Sequence, residues 1–191
     1  FFVLLALAEP GVEVIYPNPG FPIYESMINF CGATPVPLPL REAFDFRFDI
    51  DEFRSLISDR TRLIILNSPQ NPTGGYLQRQ ELAAIAEVCA ERNIMVLADE
   101  IYEHILYEGE FASLTTLPGM STHERTIILH GFSKSYAMTG WRLGFGVMPL
   151  NLAEHIKRLV INSNSCTSAS NQYAGLAALQ GSQQCVRDMV A

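Results

Sequence analysis

The stretch Gly131-Phe-Ser-Lys-Ser-Tyr-Ala-Met-Thr-Gly-Trp-Arg-Leu-Gly144 follows directly on the apolar run Thr126-Ile-Ile-Leu-His130. That run reads as a buried strand. Lys134 is delivered just past the strand's end, among small or flexible residues (Gly131, Ser133, Ser135, Ala137, Gly140), and Arg142 follows eight positions later. An amine held at the C-terminal end of a strand can be desolvated and made nucleophilic, as Schiff-base chemistry requires. A nearby guanidinium offers a planar fork for a phosphate. Together they point to a carbonyl cofactor that carries a phosphate.

Working outward, the same strand-then-loop pattern recurs. Val12 to Tyr16 is a β-branched run closed by Pro17-Asn-Pro-Gly20, and Pro22 to Phe30 reads as a helix with Pro22 in its first turn. Ala33 to Leu38 is extended, its prolines placing it at an edge or in a loop. Asp49 is a candidate cap for a helix through Ser58, with Ile50, Phe53, Leu56 and Ile57 on one face. Arg62 to Leu66 is a buried strand ending in the turn cluster Asn67-Ser-Pro-Gln-Asn-Pro-Thr-Gly-Gly75. Gln78 to Asn93 is an amphipathic helix with Leu82, Ile85, Ala86 and Cys89 on its apolar stripe. Ile94 to Ala98 is the next strand and delivers Asp99-Glu-Ile-Tyr102. Beyond Lys134, Arg142 to Val147 reads as a strand, and Leu152 to Val160 and Asn171 to Gln180 as helices. Gln183 to Ala191 shows neither cap nor stop signal.

This alternation predicts a mostly parallel sheet with helices on both faces. Ligands in such sheets gather beyond the carboxyl ends of the strands. The loops after Tyr16, Leu66, Ala98 and His130 are therefore expected to converge on one site.

Composition agrees with a sheet covered on both faces. Of 191 residues, 48% are hydrophobic and only 17% charged. A net charge of -7 with no basic cluster argues against a nucleic-acid partner and against an anionic membrane surface. Phe1 to Ala8 reads as the back half of a buried helix stopped by Pro10 and Gly11, not as a targeting segment. Cys31, Cys89, Cys166 and Cys185 are scattered, and His104, His123, His130 and His155 form no cluster in sequence. Buried free thiols in a reducing compartment and no metal are the expectation.

The Gly131–Gly144 stretch resembles the lysine-attachment signature of the class I/II aminotransferases, pyridoxal-phosphate enzymes of fold type I similar to aspartate aminotransferase. The resemblance extends over nearly the whole chain through Asn67-Ser-Pro-Gln-Asn-Pro-Thr-Gly74 and Ala98-Asp-Glu-Ile-Tyr102. It implies a three-layer α/β/α sandwich, the large cofactor-binding domain of that fold. Residues 1–191 would be most of that domain, incomplete at both ends, without an N-terminal segment and a C-terminal small domain.

The resemblance also implies roles. Lys134 would hold pyridoxal phosphate as a Schiff base, and Asp99 would face the ring nitrogen. Tyr102 and Asn71 would contact the ring oxygen from two sides, and Ser133 and Arg142 would contact the phosphate. Phe21 matches an aromatic that stacks on the ring; packing on the helix that follows it is the other reading. Many relatives carry a hydroxyl where this chain has Gly131, so that phosphate contact is lost here. Asn18-Pro19 and Asn71-Pro72 fall where relatives carry cis peptide bonds. The implied activity is amino-group transfer between an L-amino acid and a 2-oxo acid, in a cytoplasmic homodimer serving amino-acid metabolism. Other fold type I chemistry (β-lyase, decarboxylase, synthase) and the sensor domain of a transcriptional regulator share the same cofactor contacts. The chain on its own is expected to be inactive, because the arginine that holds the substrate carboxylate in the family and its glycine-rich phosphate turn lie outside it.

Overall fold

The computed structural model describes residues 1–191. Six strands form one sheet: β1 (Glu13–Asn18), β2 (Thr34–Pro39), β3 (Thr61–Asn67), β4 (Met95–Asp99), β5 (Thr126–Gly131) and β6 (Gly144–Val147), in the order β2-β1-β3-β4-β5-β6. All neighbours are parallel except β5 and β6, which are antiparallel. The middle strands are apolar on both faces, as Leu63 to Leu66 and Val96 to Ala98 show, because helices cover both sides.

On one face lie α1 (Phe2–Leu7), α2 (Ile23–Phe30) and α5 (Leu150–Asn164), enclosing a core with Val14, Leu63, Ile65 and Ile127. On the other lie α3 (Ile50–Ser55) and α4 (Arg79–Arg92), enclosing Ile15, Ile64, Leu66 and Val96. Helices α6 (Ala169–Gln180) and α7 (Gln184–Val190) complete the chain. The expected three-layer α/β/α sandwich with a mostly parallel sheet is therefore present.

The prolines explain one edge. Pro35, Pro37 and Pro39 lie in β2, an edge strand with a single neighbour, so their missing N–H groups leave no ladder position empty on the outer side. Pairing of β1 with β3 stops at Ile15, whereas pairing with β2 continues to Asn18. The two central strands thus separate toward their carboxyl ends. Strand order also reverses between them, which makes this the switch point of the sheet.

Several boundaries differ from the sequence expectation. Asp49 does cap α3, accepting the Glu52 N–H at 2.8 Å, but the helix ends at Ser55 instead of Ser58. Ser58 is recruited elsewhere: its N–H donates to Thr61 Oγ1 and its hydroxyl to Glu13, turning the chain into β3. Helix α5 runs past Val160 to Asn164, with Asn162 and Ser163 bonding back to the carbonyls of Arg158 and Leu159. Helix α6 begins at Ala169, two residues before its expected start. Helix α7 occupies the tail that showed no cap, held in part by side-chain bonds among Gln184, Arg187 and Asp188. Arg142 does not open a strand; it stands in a left-handed turn at φ 51°, and β6 starts two residues later.

Two further expectations need correction. All four cysteines are free, but only Cys89 is buried; Cys31 is half-buried and Cys166 and Cys185 are exposed. Burial pushes the Cys89 thiol up to about 12. Lys134 is exposed in an open cleft, so burial alone does not desolvate its amine.

Candidate active site

Four loops leave the carboxyl ends of β1, β3, β4 and β5 and meet over the sheet's edge. They enclose a cleft of about 290 Å³. Phe21 comes from the β1–α2 connection and Tyr24 from the first turn of α2, while Asn67 ends β3 and Asn71 lies in the loop after it. Asp99, Ile101 and Tyr102 come from the end of β4; Ser133, Lys134 and Arg142 follow β5. All seven residues singled out by the sequence (Lys134, Asp99, Tyr102, Asn71, Ser133, Arg142 and Phe21) line this one cleft.

Asp99 lies at its floor, half-buried at the end of β4. Oδ2 accepts a hydrogen bond from Tyr24 Oη at 2.6 Å, and Oδ1 faces the Ile101 N–H at 3.4 Å. Burial raises the Asp99 pKa above the usual aspartate range; the Tyr24 bond opposes the shift, helped by the Ile101 N–H and by the charges of His130 and Lys134. Tyr24 is raised in turn, first by its own burial and then by the Asp99 charge, so it remains a donor. Sequence reasoning passed over Tyr24. Its signal was its place on α2: Tyr24, Met27 and Ile28 share the buried face, and the first of them carries a hydroxyl.

Lys134 Nζ lies 5.5 Å from the centre of the Tyr102 ring, a cation–π separation. Arg142 is held over the turn by donating from Nη1 to the Thr139 carbonyl at 2.8 Å, which leaves most of its guanidinium free. Ser133 is half-buried beside Lys134. Phe21 stands in the cleft wall, edge-on to Tyr24 with ring centres 6.1 Å apart.

Gly131 has a steric reason to lack a side chain. A Cβ there would lie 3.1 Å from both Gly144 Cα and the Leu143 carbonyl oxygen. A side chain there would require the neighbouring backbone at Leu143 and Gly144 to give by a few tenths of an ångström. The peptide bonds Asn18-Pro19, Ser68-Pro69 and Asn71-Pro72 are cis; the sequence expectation named the first and last of these.

Beside the cleft, which His130 also lines, the fold brings His130 to the neighbours Glu103 and His104, the donor atoms of all three lying within 4.8 Å of one another. His130 Nε2 lies 2.9 Å from Glu103 Oε1, an ion-pair separation without hydrogen-bond alignment, and His104 Nε2 lies 3.0 Å from the same oxygen. His130 Nδ1 accepts the Gly131 N–H at 2.8 Å. The neutral imidazole therefore carries its proton on Nε2, the atom a metal would need free. The arrangement is a carboxylate between two imidazoles, not a prepared ligand set. Contact with Glu103 raises the His130 pKa against the opposing effect of burial.

Comparison with known proteins bears on the family and the fold. The family described as "Aminotransferase class I and II" matches residues 1–191. An aspartate aminotransferase of Musicola paradisiaca is 40% identical over 191 residues, covering all of this chain and 47% of that protein. The arginine–pyruvate transaminase AruH of Pseudomonas aeruginosa is 38% identical over 200 residues, covering 100% of this chain and 50% of its own. Among solved structures, the aromatic aminotransferase of Pyrococcus horikoshii superposes with a TM-score of 0.94 at 38% identity, over 99% of this chain and 51% of that one. Thermus thermophilus aspartate aminotransferase with maleate gives 0.91 at 33%, over 99% and 48%. The chain spans about half the length of the curated relatives it matches. With its mostly parallel sheet, its strand-end lysine and its match along the whole length, the chain belongs to the class I and II aminotransferase family, with the aspartate aminotransferase-like fold type I architecture.

Proposed function

We propose that the full-length protein is a pyridoxal-phosphate-dependent aminotransferase that moves an amino group between an L-amino acid and a 2-oxo acid, with Lys134 as the attachment residue. The observation that carries this reading is the convergence of Lys134, Asp99, Tyr102, Asn71 and Arg142 on one cleft. Their chemistry fits the cofactor group by group. A half-buried carboxylate suits a protonated ring nitrogen, a primary amine suits an aldehyde, and a guanidinium beside a hydroxyl suits a phosphate.

When bound, pyridoxal phosphate supplies the aldehyde for covalent attachment and a protonated ring that draws electrons from the substrate's Cα. The protein's residues do the rest. Asp99, fixed by Tyr24, would supply the negative charge at the ring nitrogen. Tyr102 and Asn71 would orient the ring through its oxygen, and Arg142 and Ser133 would hold the phosphate. Lys134 would hold the cofactor's aldehyde, and its Nζ as a free amine would take and return the Cα proton. Phe21, in the cleft wall, would flank the ring. The full-length protein is proposed to be a cytoplasmic homodimer, as the family resemblance implies; the four free thiols suit a reducing compartment.

The test is product analysis with the full-length protein, cofactor and pairs of L-amino acid and 2-oxo acid. The expected result is one new amino acid formed for each consumed. Release of ammonia or carbon dioxide as the main product would overturn the transfer reading in favour of lyase or decarboxylase chemistry.

A further inference from the structure

Asn67 ends β3 directly opposite Asp99 of β4. It is only 5% exposed, yet each polar atom of its amide is bonded. Nδ2 donates to the Asp99 carbonyl at 3.0 Å and to the Pro69 carbonyl at 3.2 Å, while Oδ1 accepts the Asn71 N–H at 2.8 Å. One side chain thus ties together two segments that carry different parts of the cleft.

We infer that Asn67 is a positioning residue that locks the loop bearing Asn71 to the strand end bearing Asp99, so that both groups meet the cofactor ring as one unit. The inference rests on the cofactor site proposed above. Only a primary amide meets the demand: two carbonyls need donors on one side, and one N–H needs an acceptor on the other. Alanine would leave the Asn71 N–H and the Pro69 carbonyl without these partners in a buried place, and the Asp99 carbonyl with only the Ser68 N–H at 3.4 Å. Aspartate, of the same shape, would keep the acceptor for Asn71. It would lose both donors and set a charged oxygen against two carbonyl oxygens.

These two variants separate positioning from plain structural support. In the full-length, cofactor-loaded protein, Asn67→Ala and Asn67→Asp should each lower kcat by about tenfold or more while KM for the amino acid changes less than about threefold. The pH midpoint of the cofactor's absorbance should move in both, because Asn71 and Asp99 set the environment of the ring. Amide exchange at Asn71, measured without cofactor, should quicken by about tenfold or more in Asn67→Ala and stay near the parent in Asn67→Asp, where an acceptor remains. Parental kcat and absorbance midpoint in both variants would overturn the inference, whatever happens to thermal stability. So would unchanged Asn71 exchange in Asn67→Ala. If the parent protein showed no lysine–cofactor absorbance at all, the proposed function would fail first. The exchange measurement alone would then decide whether Asn67 joins the two segments.

Discussion

At the scale of single residues, the proposed site assigns some groups to the ring and others to the phosphate, and the two sets should fail differently. Asp99→Asn keeps the shape and removes the charge. We expect kcat to fall by about 100-fold or more with the cofactor retained. Arg142→Ala should instead weaken cofactor affinity by about 10- to 100-fold, the loss of a charge-assisted contact. Steady-state kinetics beside equilibrium dialysis of the cofactor checks both. A second residue-scale prediction concerns Glu100, buried next to Asp99 and accepting from Ser113 Oγ at 2.8 Å. Burial lifts its carboxyl from the ordinary value of 4.5 to about 7. Below the ordinary value the acid is neutral whether folded or not. As pH rises toward 7 the unfolded chain releases the proton first, so stability is lost, on the order of 3 kcal/mol once the folded pKa is passed. Glu100→Gln should therefore raise Tm more at about pH 8 than at about pH 5; an equal change at both would refute the assignment. Lys134, Asp99 and Asn71 were legible in the sequence because each follows an apolar strand that announces where it ends. Tyr24 and Asn67 were not, since a helix tyrosine and a turn asparagine reveal their partners only when distant strands are brought together.

At the scale of elements, helix α6 sits against the loop that carries Lys134 through a glycine. A Cβ on Gly175 would come within 2.5 Å of Leu143 Cδ2 and 3.1 Å of Phe132 Cζ. Phe132 and Leu143 flank the lysine turn on its two sides and are joined by the Phe132 N–H to Leu143 carbonyl bond. Gly175→Val should push α6 away, at a cost of about 1–3 kcal/mol from overpacking, and disturb the lysine turn as well. Chemical denaturation of the variant checks the first effect and its cofactor absorbance the second. The buried strands and α4 were readable from periodicity, as were the Asp49 cap and the proline-marked edge strand. Helix ends were less readable because tertiary partners decided them: Glu13 takes Ser58 out of α3, and back-bonding side chains carry α5 beyond its apolar stripe. The antiparallel direction of β6 was invisible, since a short strand reads the same in either direction.

At the scale of the whole molecule, the two cores lie within the sandwich, but the C-terminal third keeps much apolar surface in the open. Leu150 and Tyr173 are each 75% exposed, and Ile161, Leu176 and Leu179 are near half. Patches of this kind drive association. The 191-residue chain should self-associate as its concentration rises, and Leu176→Lys with Leu179→Lys should weaken that association. Sedimentation velocity gives the answer directly, and a parent chain that stays monomeric throughout would refute the expectation. The larger claim is that four strand-end loops build one cofactor site centred on a single lysine. Borohydride reduction of the full-length protein in the presence of pyridoxal phosphate, followed by peptide mapping, tests it most directly. The pyridoxyl group is expected on Lys134; a label on Lys157, or no label in the peptide spanning Gly131 to Arg142, would contradict a site centred on that lysine.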